Sequence, residues 1–176
     1  DWLLTGVEVR LRDGAVQQYF LPLGLAWEGR EEQPGALRAA ALCKVRRQAR
    51  TGLLFDAFED EAFLRALVAA MQDRAEIPFA GGRLQFEPTA ALPSLLEAAP
   101  GAPGTRRPGS EGSNSTAIID GRLFLKGYRR LRHGLNPEVE MGRFLTDIAA
   151  FAHIVPLGGS LQYLSPEPGG AQYSLA

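Results

Sequence analysis

The sequence predicts an α+β protein: an antiparallel sheet module, then a second sheet with one main helix. Three observations carry this expectation. Residues 5–12 (TGVEVRLR) alternate, with Val7, Val9 and Leu11 on one face and Glu8, Arg10 and Arg12 on the other, the period of a half-buried strand. Phe63, Leu64, Leu67 and Met71 recur at helical spacing. Asp120-Gly121 stands between two apolar runs, a strong short-range hairpin signal.

The elements follow in order. Asp13-Gly14 is a turn dipeptide after the first strand. A second strand is expected over 16–27, with an edge or bulge at Pro22. A third is expected near 37–47 and a fourth near 52–58. Asp60 is a candidate N-cap for the helix that runs through Gln72. RLQFE at 83–87 closes an antiparallel module of roughly 90 residues.

Residues 99–110 (APGAPGTRRPGS) hold three prolines and three glycines and have no strand or helix period, so a connector is expected there. Strands at about 113–119 and 122–128 then flank Asp120-Gly121. Asn136 and Pro137 fit the N-cap and first residue of a helix to about Ala150, with Met141, Leu145 and Ile148 along its apolar stripe. Strands near 154–164 and 171–176 end the chain, the last with no turn or cap after it, as if cut. The pattern predicts two separate sheets, one before the connector and one after it. No internal repeat is visible.

The 176 residues are 45% apolar and 22% charged, with a formal net charge of -1. No strong global field points to nucleic acid or to a membrane surface, and no apolar run approaches the roughly 18–20 residues that span a bilayer. Cys43 is the lone cysteine; it fits a reducing cytoplasm and reads as a small buried apolar side chain. Two histidines and one cysteine do not assemble a zinc site.

One residue choice raises a functional question. Of 19 basic residues only Lys44 and Lys126 are lysines. If Asp120-Gly121 forms a two-residue loop, alternation puts Phe124, Lys126 and Tyr128 on one face and Leu123 and Leu125 on the other. A strand-interior ammonium in a partly apolar setting needs an anionic partner. Glu138 and Glu140 at the following helix start are candidates. The Ser113, Asn114, Ser115, Thr116 loop offers hydroxyls, an amide and backbone N–H groups that suit phosphate oxygens. Loop, strand lysine and helix glutamate form the nucleotide side of the protein-kinase template. The residues alone leave a solvated lysine beside an ordinary turn open, because neither glycine-rich phosphate motif is present.

Other clusters read as structural. Arg129, Arg130, Arg132 and His133 form a basic knot without an aromatic stacking array, read as a solvated loop. Asp56, Glu59, Asp60 and Glu61 read as a helix start, where carboxylates complement the dipole. His153 reads as a core or strand-edge histidine.

The stretch EGSNSTAIIDGRLFLKGYRRLRHGLNPEVEMGRFL resembles the bacterial maltokinases, especially the form fused to trehalose synthase. That family reads E-Q-S-N-T-S, a hairpin, L-K-x-[YF]-R-R, then G-x-N-P-E-x-E-x-G-R-F-L-T. FAHIVPLGGSLQY, QYFLPLGLAWE and GLLFDAFEDEAF extend the resemblance over most of the chain, in order and more loosely. The chain departs from the pattern at Gly112, where glutamine is usual, at Ser115-Thr116, and at Gly127, where an apolar residue is usual.

The resemblance implies an aminoglycoside-phosphotransferase-like kinase fold, with a cystatin-like cap over residues 1–88, an intermediate segment and linker over 89–110, and a kinase-type N-lobe over 111–176. It implies transfer of the ATP γ-phosphate to C1 of maltose in the cytoplasm, for α-glucan and trehalose metabolism. By resemblance, Ser113, Asn114, Ser115 and Thr116 cover the phosphates, Lys126 binds them, and Glu140 or Glu138 orients the lysine. The family's His-Gly-Asp-type catalytic loop and D-F-E-type Mg²⁺ motif do not occur in these residues. They are expected in a C-lobe beyond them, so the chain by itself is expected to be inactive. The alternative implied is a non-catalytic interaction or scaffold module within a trehalose synthase fusion.

Overall fold

In a computed structural model, the chain is described over residues 1–28, 35–97, 104–108, 114–167 and 172–175. Short strands β1 (Trp2–Leu3), β2 (Gly6–Arg10), β3 (Val16–Phe20) and β4 (Leu23–Trp27) lead to helix α1 (Gly35–Ala39). Strands β5 (Ala41–Arg47) and β6 (Arg50–Asp56) follow, then a 3₁₀ turn (Ala57–Glu59) and helix α2 (Glu61–Gln72). β7 (Glu76–Phe79), β8 (Gly82–Pro88) and α3 (Leu92–Glu97) precede β9 (Thr105–Arg106). The later part holds β10 (Asn114–Ile119), β11 (Leu123–Tyr128), β12 (Arg130–Leu131), helix α4 (Pro137–Arg143), a π-helical turn (Phe144–Ile148), β13 (Gly159–Leu164) and β14 (Gln172–Ser174). The chain is α+β, and every strand pair among the described residues is antiparallel.

Local signals explain most boundaries. Pro22 splits the expected 16–27 strand into β3 and β4, since proline has no N–H for a ladder. Asp56 Oδ1 accepts from Phe58 N at 3.0 Å and stops β6 in the 3₁₀ turn. Asp60 Oδ1 accepts from Ala62 N at 2.9 Å and caps α2 as expected. Phe63, Leu64, Leu67 and Met71 are the buried stripe of that helix.

The expectation of two separate sheets is corrected. The sheet order β14-β13-β8-β7 joins strands from both sides of the connector, with Leu161 opposite Phe86 and Tyr163 opposite Leu84. The order β12-β3-β2 does the same, with Leu131 opposite Gln18. The physical reason is a shared core. Phe20, Phe58, Phe63, Leu64, Leu84 and Phe86 pack in one cluster with Ala117, Ile119, Leu125, Leu161 and Leu175. The apolar face of α2 is wide enough to serve strands from both halves, and burying them together removes more apolar surface than two small cores. α3, before the expected connector, and β9, inside it, are further additions.

The 137–150 helix is corrected too. Regular turns end at Arg143, and Ala149 N bonds to Phe144 O at 2.9 Å, the longer i→i+5 bond of a π-turn. The expected stripe is not buried: Met141 is 55% and Ile148 73% exposed, and Val139 is the buried residue of α4. Cys43 is exposed rather than buried, beside a bulge in the edge strand β5. β13 starts at Gly159 rather than near 154.

Candidate functional site

The site is built on the β10–β11 hairpin. Ile119 pairs with Leu123, so the loop has three residues, 120–122, rather than the two expected. Arg122 N donates to Ile119 O at 3.1 Å across Asp120 (φ 51°) and Gly121 (φ 67°), the left-handed pair that favours Asx-Gly. The turn is tied to α2: Arg65 donates to both Asp120 oxygens at 2.8 and 2.7 Å. Asp120 also accepts from Gly104 N at 3.1 Å. Arg65 first, then the Gly104 amide, holds the Asp120 carboxyl well below the usual carboxylate range.

The alternation predicted for the strands holds. Leu125 and Gly127 are buried, while Phe124, Lys126 and Tyr128 lie on the outer face. Thr116 is directly opposite Lys126 and Asn114 opposite Tyr128, so these four share that face. Lys126 Nζ donates to Glu138 Oε1 at 2.8 Å and Oε2 at 2.5 Å. Tyr128 Oη donates to Glu138 Oε2 at 3.0 Å, and the Lys126 ammonium stands 5.5 Å from the Tyr128 ring centre. The pair left open by sequence is thus Lys126–Glu138; Glu140 is exposed in the next half-turn.

Helix α4 presents Glu138 by its own start. Asn136 Oδ1 accepts from Glu138 N at 2.9 Å and Pro137 sets the first helical position. Glu138 sits in the first turn, where negative charge is favoured. Its carboxyl is held below the ordinary glutamate value, first by the Lys126 hydrogen bond, with burial opposing and Tyr128 assisting. The Tyr128 phenol is pushed up, first by burial and then by Glu138.

A depressed carboxyl contributes stability above its unfolded pKa of about 4.3 and loses it as pH falls through the lower folded value. Glu138→Gln is therefore expected to flatten the decline in stability below about pH 4.3. Denaturant titrations at stepped pH check this, and parallel acid limbs in variant and wild type would refute it.

Ser115 belongs elsewhere. It is opposite Gly127 on the inner face, and its Oγ accepts from Arg129 Nε at 2.7 Å. Arg129 also bridges to Asp56 through Nη2 and stands 4.4 Å over the Phe58 ring. Its side chain is only 17% exposed, so the reading of Arg129 as part of a solvated knot is corrected. Continuing the alternation from Leu125 and Gly127 to Arg129 would have put it on the inner face. Arg130, Arg132 and His133 are exposed, as expected. Ser113 lies outside the described residues.

The acidic cluster is structural, as expected. Asp56 and Asp60 cap, Glu59 meets Arg107 at 2.9 Å and Glu61 meets Arg65 at 2.8 Å. Among the described residues no three His, Cys, Asp or Glu side chains gather as a metal site. His153 is exposed, edge-on to Phe151 at 5.8 Å.

Two of the three Lys126 N–H donors go to Glu138, which leaves one for an anion. Thr116 and Asn114 add a hydroxyl and a carboxamide on the same face. The arrangement suits phosphate oxygens, and among the described residues it contains no general base and no metal cage. A comparison with known protein families finds no match to the chain.

Proposed function

We propose that the chain is the nucleotide-binding N-terminal part of an ATP-dependent sugar kinase of the maltokinase kind. The observation that carries the reading is the Lys126–Glu138 pair between β11 and α4. A strand lysine held by a helix carboxylate is what positions an ammonium on nucleotide phosphates in kinases. Asn114 and Thr116 beside it fit the phosphate contacts, whereas Ser115 supports the hairpin from behind. In this reading the residues before the connector act as the cystatin-like cap, and the last third as the kinase-type N-lobe. The sugar base and the Mg²⁺ ligands belong to a second lobe. That lobe would cover the exposed face of Met141, Phe144 and Ile148, an apolar stripe that a helix normally buries. A cytoplasmic location and a trehalose synthase partner go with the reading. The same stripe also suits the alternative, a non-catalytic docking module.

Nucleotide binding separates the two. Without a second lobe the phosphates remain largely in water, where Lys126 and a few polar groups attract them weakly. The chain is expected to bind Mg-ATP with a dissociation constant around millimolar, about 4 kcal/mol, and to phosphorylate no maltose. Calorimetric titration of wild type and Lys126→Ala, with a coupled maltose assay, checks this. Saturable binding that Lys126→Ala abolishes supports the kinase reading. No binding, or binding indifferent to Lys126, favours the docking module. Micromolar binding or any turnover would mean that the active site lies elsewhere.

A further inference from the structure

The sheets β12-β3-β2 and β14-β13-β8-β7 face each other over a cavity of about 290 Å³. One side of this sandwich is closed: Tyr128 N bonds to Leu175 O and Gly134 N to Gln172 O, both at 2.9 Å. The other side is bordered by β2 and β7, the end strands of their sheets among the described residues. Gly6 and Glu8 of β2 and Phe79 of β7 all line the cavity. Gly6, Glu8 and Gln18 form its floor and Phe79, Tyr163 and Tyr173 an aromatic wall.

Hydrogen bonds along β3 fix the backbone polarity of β2. Phe20 N donates to Arg129 O, away from β2, and Leu21 N donates to Thr5 O, toward it. The antiparallel ladder alternates, so Val7 exchanges bonds with Tyr19, its partner in register. Gly6 and Glu8, one residue to either side, direct their N–H and C=O groups outward. The same two residues have their side-chain positions on the cavity face. β7 carries Pro78, which removes a donor from its edge, and edge strand β5 is bulged and carries Lys44, Arg46 and Arg47. These are ordinary protections against strand addition. β2 has neither proline nor bulge.

We propose that β2 is a docking edge for an extended peptide segment of pattern basic-x-aromatic. The segment adds as a strand antiparallel to β2, exchanging backbone bonds with Gly6 and Glu8. Residues opposite these two fall on the cavity face. The one opposite Gly6 enters the space that glycine leaves open, against Phe79, Tyr163 and Tyr173. A Cβ built on Gly6 would already touch the Phe79 ring at 3.7 Å without a clash, so a larger side chain there would fill this part of the cavity. The residue opposite Glu8 meets the sole charged side chain of the lining, which selects a base. Arg10 approaches Glu8 only to 3.7 Å, and both side chains are mostly exposed, a weak competitor. Main-chain bonds supply affinity and the pocket supplies selectivity.

The test uses the ¹⁵N-labelled chain and the peptide acetyl-Thr-Lys-Thr-Phe-Thr-amide. Saturable amide shifts are expected, larger at Gly6 and Glu8 than at Val7. Methylating the peptide's Phe nitrogen, or replacing its Phe by Ala, is expected to weaken binding about 10-fold or more, as for loss of an anchor. Gly6→Leu, whose amide spectrum reports its fold, is expected to weaken binding by a similar factor. Replacing the peptide's Lys by Gln should matter to wild type and not to Glu8→Gln. Absence of saturation, shifts centred away from β2, or equal binding of the N-methyl peptide overturns the proposal. So does a dependence on protein concentration without peptide, which would give the edge to a second copy. None of these outcomes depends on Lys126 or on nucleotide.

Discussion

In the kinase proposed above, Lys126→Ala is expected to lower phosphoryl transfer about 10²–10³-fold, the usual order for removing one preorganised charge. Phosphoryl transfer consists of positioning and charge neutralisation. The ammonium is fixed by Glu138 at 2.8 and 2.5 Å and by the Tyr128 ring 5.5 Å away. Lys126→Arg is expected to restore little. A planar guanidinium spreads its charge and takes a carboxylate in fork geometry, so it would turn its donors to Glu138 rather than to phosphate. Glu138→Gln should give a smaller loss, because the ammonium remains but loses its orientation. Steady-state kinetics of the three variants check the series. Near-normal turnover in either lysine variant would remove Lys126 from the site. A loss larger in Glu138→Gln than in Lys126→Ala would reverse the two roles.

Gly127→Val is expected to destabilise the fold by about 3 kcal/mol, the upper part of the range for overpacked cores. A Cβ at this position would lie 2.2 Å from Phe58 Cζ and 2.6 Å from Cε1. The ring has no room to retreat: it is buried, Phe63 meets it edge-on at 5.8 Å, and the Arg129 guanidinium stands 4.4 Å above it. For a chain of this size about 3 kcal/mol corresponds to a fall in Tm of roughly 6–12 °C. Phe58→Ala carries its own cavity penalty, yet the double variant should cost less than the sum of the two, since removing the ring relieves the valine's clash and the valine fills part of the cavity. Thermal unfolding of the four proteins checks this. Additive losses, or a Gly127→Val shift of a degree or less, would show that the close approach is not a constraint.

Local signals in the sequence determined the local structure. Asp60 capped α2, Asp120-Gly121 turned the hairpin, and Asn136-Pro137 started α4, because each acts through its own backbone within four residues. Period-2 alternation determined that Phe124, Lys126 and Tyr128 share a face, and residue type determined that a carboxylate would meet the lysine. Tertiary structure alone decided which carboxylate. Glu138 and Glu140 differ by 200° around a helix, and only the angle at which α4 crosses β11 selects between them. Tertiary structure also turned Ser115 to Arg129, which reaches on to Asp56, and it set Gly127 against Phe58, 69 positions earlier in the chain. It joined β8 to β13 and β3 to β12 across the connector, where a proline- and glycine-rich composition suggested two separate sheets. Composition reports how freely a segment bends. Which strands pair depends on which apolar faces bury each other, and α2 carries a face that strands from both halves complete.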